Sequence, residues 1–167
     1  GNDELFLATR RGKGLRFHED QVRAMGRPSR GVTGIKLSQN DELAGCVAVA
    51  DGEQMLTVSE YGYGKRTRYD EFTPHGRGTA GQIAYGTNER TGELVDILSV
   101  RDESELMIIT SQGQTIKLSA GMIPIQSRSA TGVRVVDIGR PDFVVGVDRT
   151  ADDDEEEARK EAEEASG

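Results

Sequence analysis

The sequence predicts an all-β chain of about three repeats, each a blade of four short antiparallel strands. Three observations carry this. An apolar run ending in Thr or Ser, followed by a glycine turn, occurs three times: Leu5–Thr9 with Gly12, Met55–Ser59 with Gly62, and Leu106–Thr110 with Gly113. The turn glycines stand 50 and 51 residues apart, a period at which short strands build bladed arrays. Each copy also carries a loop of the form Arg-x-x-x-Gly, at Arg30–Gly34, Arg77–Gly81 and Arg128–Gly132.

The apolar run is the first strand of each repeat. The second and third alternate apolar with basic residues, as in Leu15-Arg16-Phe17, Ile35-Lys36-Leu37, Ile116-Lys117-Leu118 and Val133-Arg134-Val135. A period of two turns the apolar residues to a core and the bases to water. A more continuous apolar strand closes each repeat, at Gly45–Val49, Leu94–Leu98 and Phe143–Val147. Asp51-Gly52 and Thr91-Gly92 are turn signals near the joints. The first repeat carries about three extra residues in His18–Met25, room for a helical turn. The repeats span 3–50, 51–100 and 101–150, so residues 1–150 form the bladed segment.

Residues 151–167 are a separate acidic tail with nine acids and two bases. They account for −7 of the formal net charge of −8 and leave the blades nearly neutral. The tail has no apolar face to bury, so it is expected to be disordered, though Glu155/Arg159 and Glu156/Lys160 are i,i+4 pairs that favour a nascent helix. The single cysteine, Cys46, allows no intrachain disulfide and reads as a small buried hydrophobe in Cys46-Val47-Ala48-Val49. No apolar run is long enough to cross a membrane, and no leader pattern occurs. A reducing cytoplasm is the expected location. Gly1 in place of Met points to a piece of something longer.

No autonomous active site is expected. Tyr61-Gly62-Tyr63-Gly64-Lys65 imitates a phosphate loop, but Ser59 and Arg66 stand where that loop needs Gly and Ser or Thr. His18 and His75 lack companions for a metal site. No cofactor is expected in this chain.

The cations recur. Arg16, Arg66 and Lys117 occupy one position of the second strand; Arg30, Arg77 and Arg128 open the loop; Lys36 and Arg134 match in the third strand. Arg10, Arg11, Lys13, Arg23, Arg27, Lys65 and Arg68 crowd the first two repeats. Cations repeated along an array suit the repeated phosphates of duplex DNA. The chain has no Trp and few aromatics to stack single-stranded bases. It has no helix-turn-helix or zinc-finger pattern for the major groove. Backbone binding with bending is the mode this pattern permits. The competing readings are solubilising edge charges and a propeller-like protein-interaction scaffold.

Several stretches, in order, strongly resemble the C-terminal domain of the DNA gyrase A subunit. They are Arg23–Arg27, Arg30–Leu37, Tyr61–Thr67, Glu105–Thr110 and Thr131–Val135, followed by the acidic tail. The resemblance covers nearly all of residues 3–150. It implies a β-pinwheel whose neighbouring blades exchange strands and whose basic rim wraps duplex DNA, as part of an ATP-dependent type IIA topoisomerase that supercoils DNA. It implies that ATP, magnesium and the transesterifying tyrosine belong to other parts of that enzyme. The partners implied are the gyrase B subunit, together with the rest of the gyrase A subunit, in bacterial cytoplasm at the nucleoid. Tyr61, Tyr63, Tyr69 and Tyr85 match strand and turn positions instead. Two departures stand out. The three repeats match the last half of the family's disc, and its Gln-Arg-Arg-Gly-Gly-Lys-Gly box is absent; Arg10–Gly14 imitates the box but lies in a hairpin turn. The equivalent domain of the topoisomerase IV A-type subunit is a close alternative. An open arc also leaves blade ends at which copies could associate.

Overall fold

In the computed structural model, which describes residues 4–19, 40–73, 81–150 and 162–165, each repeat opens with the hairpin its glycine permits. Strands β1 (Glu4–Thr9) and β2 (Lys13–His18) form the first hairpin, β4 (Gln54–Ser59) and β5 (Tyr63–Thr67) the second, and β8 (Glu105–Thr110) and β9 (Thr115–Ser119) the third. The Thr or Ser that ends each apolar run closes the turn twice over. Its carbonyl accepts from the glycine amide, at 3.0 Å from Gly12, 3.2 Å from Gly62 and 3.0 Å from Gly113. Its hydroxyl accepts from the amide that follows the glycine, in Lys13, Tyr63 and Gln114, at 3.1–3.2 Å.

The closing strands are β3 (Leu43–Ala48), β7 (Leu94–Val100) and β11 (Val144–Arg149). The alternating third strands are short, β6 (Gln82–Ile83) and β10 (Val133–Arg134). Their counterpart at Ile35-Lys36-Leu37, the inserted segment beyond Glu19 and most of the acidic tail lie outside the described residues; 162–165 are helical.

The sheets do not coincide with the sequence repeats. The first has the order β3-β1-β2-β6 and the second β10-β5-β4-β7, so each takes its last strand from the following repeat. The third, β11-β8-β9, holds three strands among the described residues. Pairing register is the same at both exchanges: Lys13 faces Ile83, and Tyr63 faces Arg134. Pro124–Gln126 of the third repeat also lies along β5, with the Arg66 amide donating to the Pro124 carbonyl at 2.9 Å.

The apolar cores lie between blades. Phe6 and Ala8 of the first repeat meet Met55, Phe72 and Tyr85 of the second. Leu56 and Val58 look the other way, onto Leu106, Ile108 and Ile123 of the third. A separate cluster of Leu7, Leu15 and Phe17 sits on the far face of the first blade. The closing strands meet near the centre. There Gly45, Asp96 and Gly146 hold one repeat position. Asp96 accepts from the amides of Ile97 at 2.9 Å and Val147 at 3.3 Å, and a Cβ on Gly45 would come within 3.2 Å of its carboxylate. Burial raises the Asp96 carboxyl above its ordinary value.

Two expectations fail. Cys46 is exposed, not buried. Gly45 is the residue that points at β7, so strand alternation turns Cys46 to the opposite face. Nor does every strand base face water: all five residues of β5, Lys65 and Arg66 among them, are buried.

Gly62 and Gly113 share a left-handed backbone, φ +86 and +84, which costs an L-residue about 1–2 kcal/mol. Their surroundings differ. A Cβ on Gly62 would lie 2.5 Å from the Val136 carbonyl of the next repeat, whereas one on Gly113 meets nothing within 4 Å. Urea unfolding of Gly113→Ala is therefore expected to show only the backbone cost, about 1–2 kcal/mol. Gly62→Ala is expected to lose clearly more, because the exchanged segment is pushed off the turn.

Candidate nucleic-acid interface

Equivalent cations meet different fates. The registers Phe6–Arg16, Leu56–Arg66 and Met107–Lys117 match, so the three bases sit at one place in three blades. Arg16 pairs with Glu4 of its own blade, at 3.1 Å from Nη2, and its Nη1 donates to the Tyr69 carbonyl at 2.9 Å. That carbonyl belongs to the 3-10 turn Tyr69–Glu71 of the next repeat. Arg66 repeats the contact one blade on. It is 5% exposed, and its Nε donates at 2.7 Å to the carbonyl of Ile123. Ile123 directly follows the matching turn, Ala120–Met122. Gln54 and Asp102 accept from its Nη1. Lys117 looks forward to no described repeat and is exposed.

Lys65 is also internal. It is fully buried, donates from Nζ to the carbonyls of Ser127 at 2.6 Å and Arg128 at 2.8 Å, and lies over the Tyr85 ring at 5.2 Å. Lys65 stands among the cations of the first two repeats in the sequence, but all five residues of β5 are buried. Arg16, Lys65 and Arg66 thus act as ties between blades; for Lys65 and Arg66 the expectation that they face phosphates yields to burial, while Arg16 is half-buried and engaged by Glu4 and Tyr69. Arg10 is half-spent in the same way, on Glu93 at 3.3 Å and Glu60 at 3.7 Å.

The other described candidates are more accessible. Arg11, Arg68 and Lys117 are exposed, and Lys13 is half-buried on β2. Arg128 is half-buried and donates to the Ile83 carbonyl at 3.2 Å, while its amide donates to Glu71 at 2.8 Å. Its loop is lodged on the second repeat through the Gly86 amide, which donates to the Ala130 carbonyl at 3.1 Å. The Arg134 side chain is 58% exposed and donates to the Tyr63 hydroxyl at 3.2 Å. Arg23, Arg27, Arg30, Lys36 and Arg77 lie outside the described residues.

Two further exposed arginines escape the sequence reading because neither belongs to a recurring set. The Arg90 guanidinium lies 5.4 Å from the Tyr63 ring centre, and Arg140 lies 4.5 Å from that of Tyr61. An open cleft of about 800 Å³ runs between the first two turns, with Arg11, Tyr61, Asn88, Glu89 and Arg140 in its walls. No activated nucleophile emerges among the buried tyrosines. Burial pushes the Tyr69 hydroxyl up to about 12 and raises that of Tyr85 as well. Among the described residues no group of three His, Cys, Asp or Glu is placed to hold a metal.

Blades each completed by a strand of the repeat that follows, with cations spread over successive units, define a propeller-type repeat domain. The chain belongs to the family described as the DNA gyrase C-terminal domain, beta-propeller, whose model matches residues 3–50, 53–101 and 104–151. It is 40% identical over 157 residues to the DNA gyrase A subunit of Aminobacterium colombiense, a match that covers 94% of this chain and 19% of that protein. Against the DNA gyrase A subunit of Salmonella typhimurium the identity is 39% over 158 residues, covering 93% and 18%. The chain therefore spans about a fifth of the length of these relatives. A solved structure of a DNA gyrase A C-terminal domain superposes with a TM-score of 0.81 at 26% identity, covering 89% of this chain and 50% of the other. A C-terminal domain of DNA topoisomerase IV shares the fold, with a TM-score of 0.79 at 19% identity, covering 99% and 52%.

The ties between blades make two outcomes expected. Hydrogen bonds from a charged group to buried partners are worth about 1.5–3 kcal/mol. Arg66→Ala is therefore expected to lower unfolding free energy by about that much or more, while Lys117→Ala, exposed, stays within about 0.5 kcal/mol. Burial pushes the Lys65 ammonium down from 10.5 to about 8. Between these values the unfolded chain binds the proton more tightly, so this residue makes the fold more stable as pH rises from 8 to 10. The two buried tyrosines act in the opposite sense only above their ordinary value of 10. Urea titrations at pH 8 and pH 10 are expected to show this rise in the native chain and not in Lys65→Met, which lacks the titrating group.

Proposed function

We propose that this chain binds duplex DNA through its phosphates, without sequence preference, and bends it as the wrapping element of a gyrase-type topoisomerase. The observation that carries the reading is the spread of exposed cations over successive repeats in a member of the gyrase C-terminal family. The contacts proposed are Arg11, Lys13, Arg68, Lys117, Arg128 and Arg134. Arg23, Arg27, Arg30, Lys36 and Arg77 join them on sequence grounds, and Arg10 contributes what its carboxylate pairs leave free. Chemistry at DNA then belongs to other parts of a longer enzyme, with ATP and magnesium bound there. The gyrase B subunit, together with the rest of the gyrase A subunit, is its partner at the bacterial nucleoid. No described helix is long and apolar enough to cross a membrane.

The edge of β9 supports a second contact. In the first two sheets that edge is filled by the next repeat; in the third it is free among the described residues. Association there with another pinwheel unit, including one from a second copy, satisfies the strand. A protein-interaction scaffold is the competing class, and salt separates the two. Phosphate neutralisation releases counterions, so log affinity falls with log salt by about 0.9 for each contact on B-form DNA. The expected slope for a duplex that spans the blades is several units; a slope near zero overturns the DNA-binding reading.

A further inference from the structure

The turn position that carries cations in the first blade carries tyrosines in the second. Arg11-Gly12-Lys13 corresponds to Tyr61-Gly62-Tyr63, and to Gln112-Gly113-Gln114 in the third. Recurrence by sequence would end the cationic line at the first turn. The structure instead returns three guanidiniums to the second turn from elsewhere in the chain. Arg134 reaches the Tyr63 ring at 5.5 Å from the exchanged strand β10, and Arg90 reaches it at 5.4 Å from the turn before β7. Arg140 lies over Tyr61 at 4.5 Å, from the segment leading into β11. All three arginines are exposed, while Tyr63 is 8% exposed and rigidly placed in β5.

We propose that the Tyr61-Gly62-Tyr63 turn is a seat on which Arg90, Arg134 and Arg140 form a phosphate-binding cluster, continuing the line begun by Arg11 and Lys13. This rests on the proposed duplex-DNA reading and names residues that the recurring pattern omits. An aromatic face attracts a guanidinium and fixes its plane. A seated arginine loses less freedom on binding than a loose one, so the cluster is preorganised. The nearby acids offset much of the cluster's own charge, and Arg11 and Lys13 of the first turn tip the combined balance to positive. Asp137 stands 3.9 Å from Arg134. Glu60 and Glu93, which line the cleft beside Arg140, are both held by Arg10. Glu89 is the remaining carboxylate of the cleft. The cleft joins the first turn, at Arg11, to the second, at Tyr61 and Arg140, so a phosphate backbone can pass from one cationic turn to the next. The exchanged strand thereby acquires a second use: it completes the second sheet and delivers Arg134 to the seat.

The test uses the full chain, a fluorescent duplex spanning the blades, and affinities over a salt series. The variants are the triple Arg90→Gln, Arg134→Gln, Arg140→Gln and the seat variant Tyr61→Leu, Tyr63→Leu, with thermal melts to verify folding. The triple variant is expected to lose about 0.9 of log–log slope for each phosphate contact removed. The seat variant keeps the charges and is expected to bind more weakly than the native chain at every salt concentration. A folded triple variant with native slope and affinity overturns the cluster and leaves the DNA-binding reading standing. If the native chain itself gives a slope near zero, that reading falls and the cluster with it. Should the seat variant refuse to fold, the three single arginine variants decide, since their side chains are exposed.

Discussion

Each blade is finished by the repeat that follows it. β6 closes the first sheet and β10 the second, and most of the rest depends on this displacement. It places the apolar cores at the junctions, Phe6 against Phe72 and Leu56 against Ile123. It brings carbonyls at each described 3-10 turn, of Tyr69 within one and Ile123 just after the other, over the preceding blade, where Arg16 and Arg66 take them. It also covers β5 so completely that a lysine there must find its hydrogen bonds inside the protein. A strand edge left open is a site for pairing, so the junction satisfies backbone and side chains together.

The same displacement sorts the cations. Position in the repeat does not decide whether a base meets solvent; what lies ahead of its blade does. Arg16 and Arg66 are drawn into junctions, while Lys117, in the same register, stands clear. Conversely, the second turn carries no cation in its own sequence yet collects Arg90, Arg134 and Arg140 around two tyrosines. The surface charge that a polyanion would meet is thus a property of neighbouring repeats in combination.

Much of the fold is legible in the sequence because its signals are local. Glycines with positive φ stand where the turn pattern places them, the Thr and Ser before them close the hairpins, and the apolar runs at Leu94 and Val144 are β7 and β11. The strand exchange can be named only through the family resemblance, since pairings between residues 70 apart, such as Lys13 with Ile83, leave no local trace. Taking the bases Lys65 and Arg66 as phosphate contacts fails for the same reason: the carbonyls that hold them, of Ser127, Arg128 and Ile123, come from about 60 residues away. Arg90 and Arg140 escape notice because they act by landing on tyrosines of another strand, and recurrence is blind to a contact made once.

The offset between sequence repeat and finished sheet also governs how such an array can grow. A new copy inserted at a repeat boundary would meet its neighbours through junctions of a kind already in use, with the donor strand, the arginine and the turn carbonyls at their existing spacings. Lengthening by duplication therefore demands no newly invented interface. The converse holds for cutting: no boundary along the chain frees one blade whole, because every cut separates a sheet from the strand that completes it.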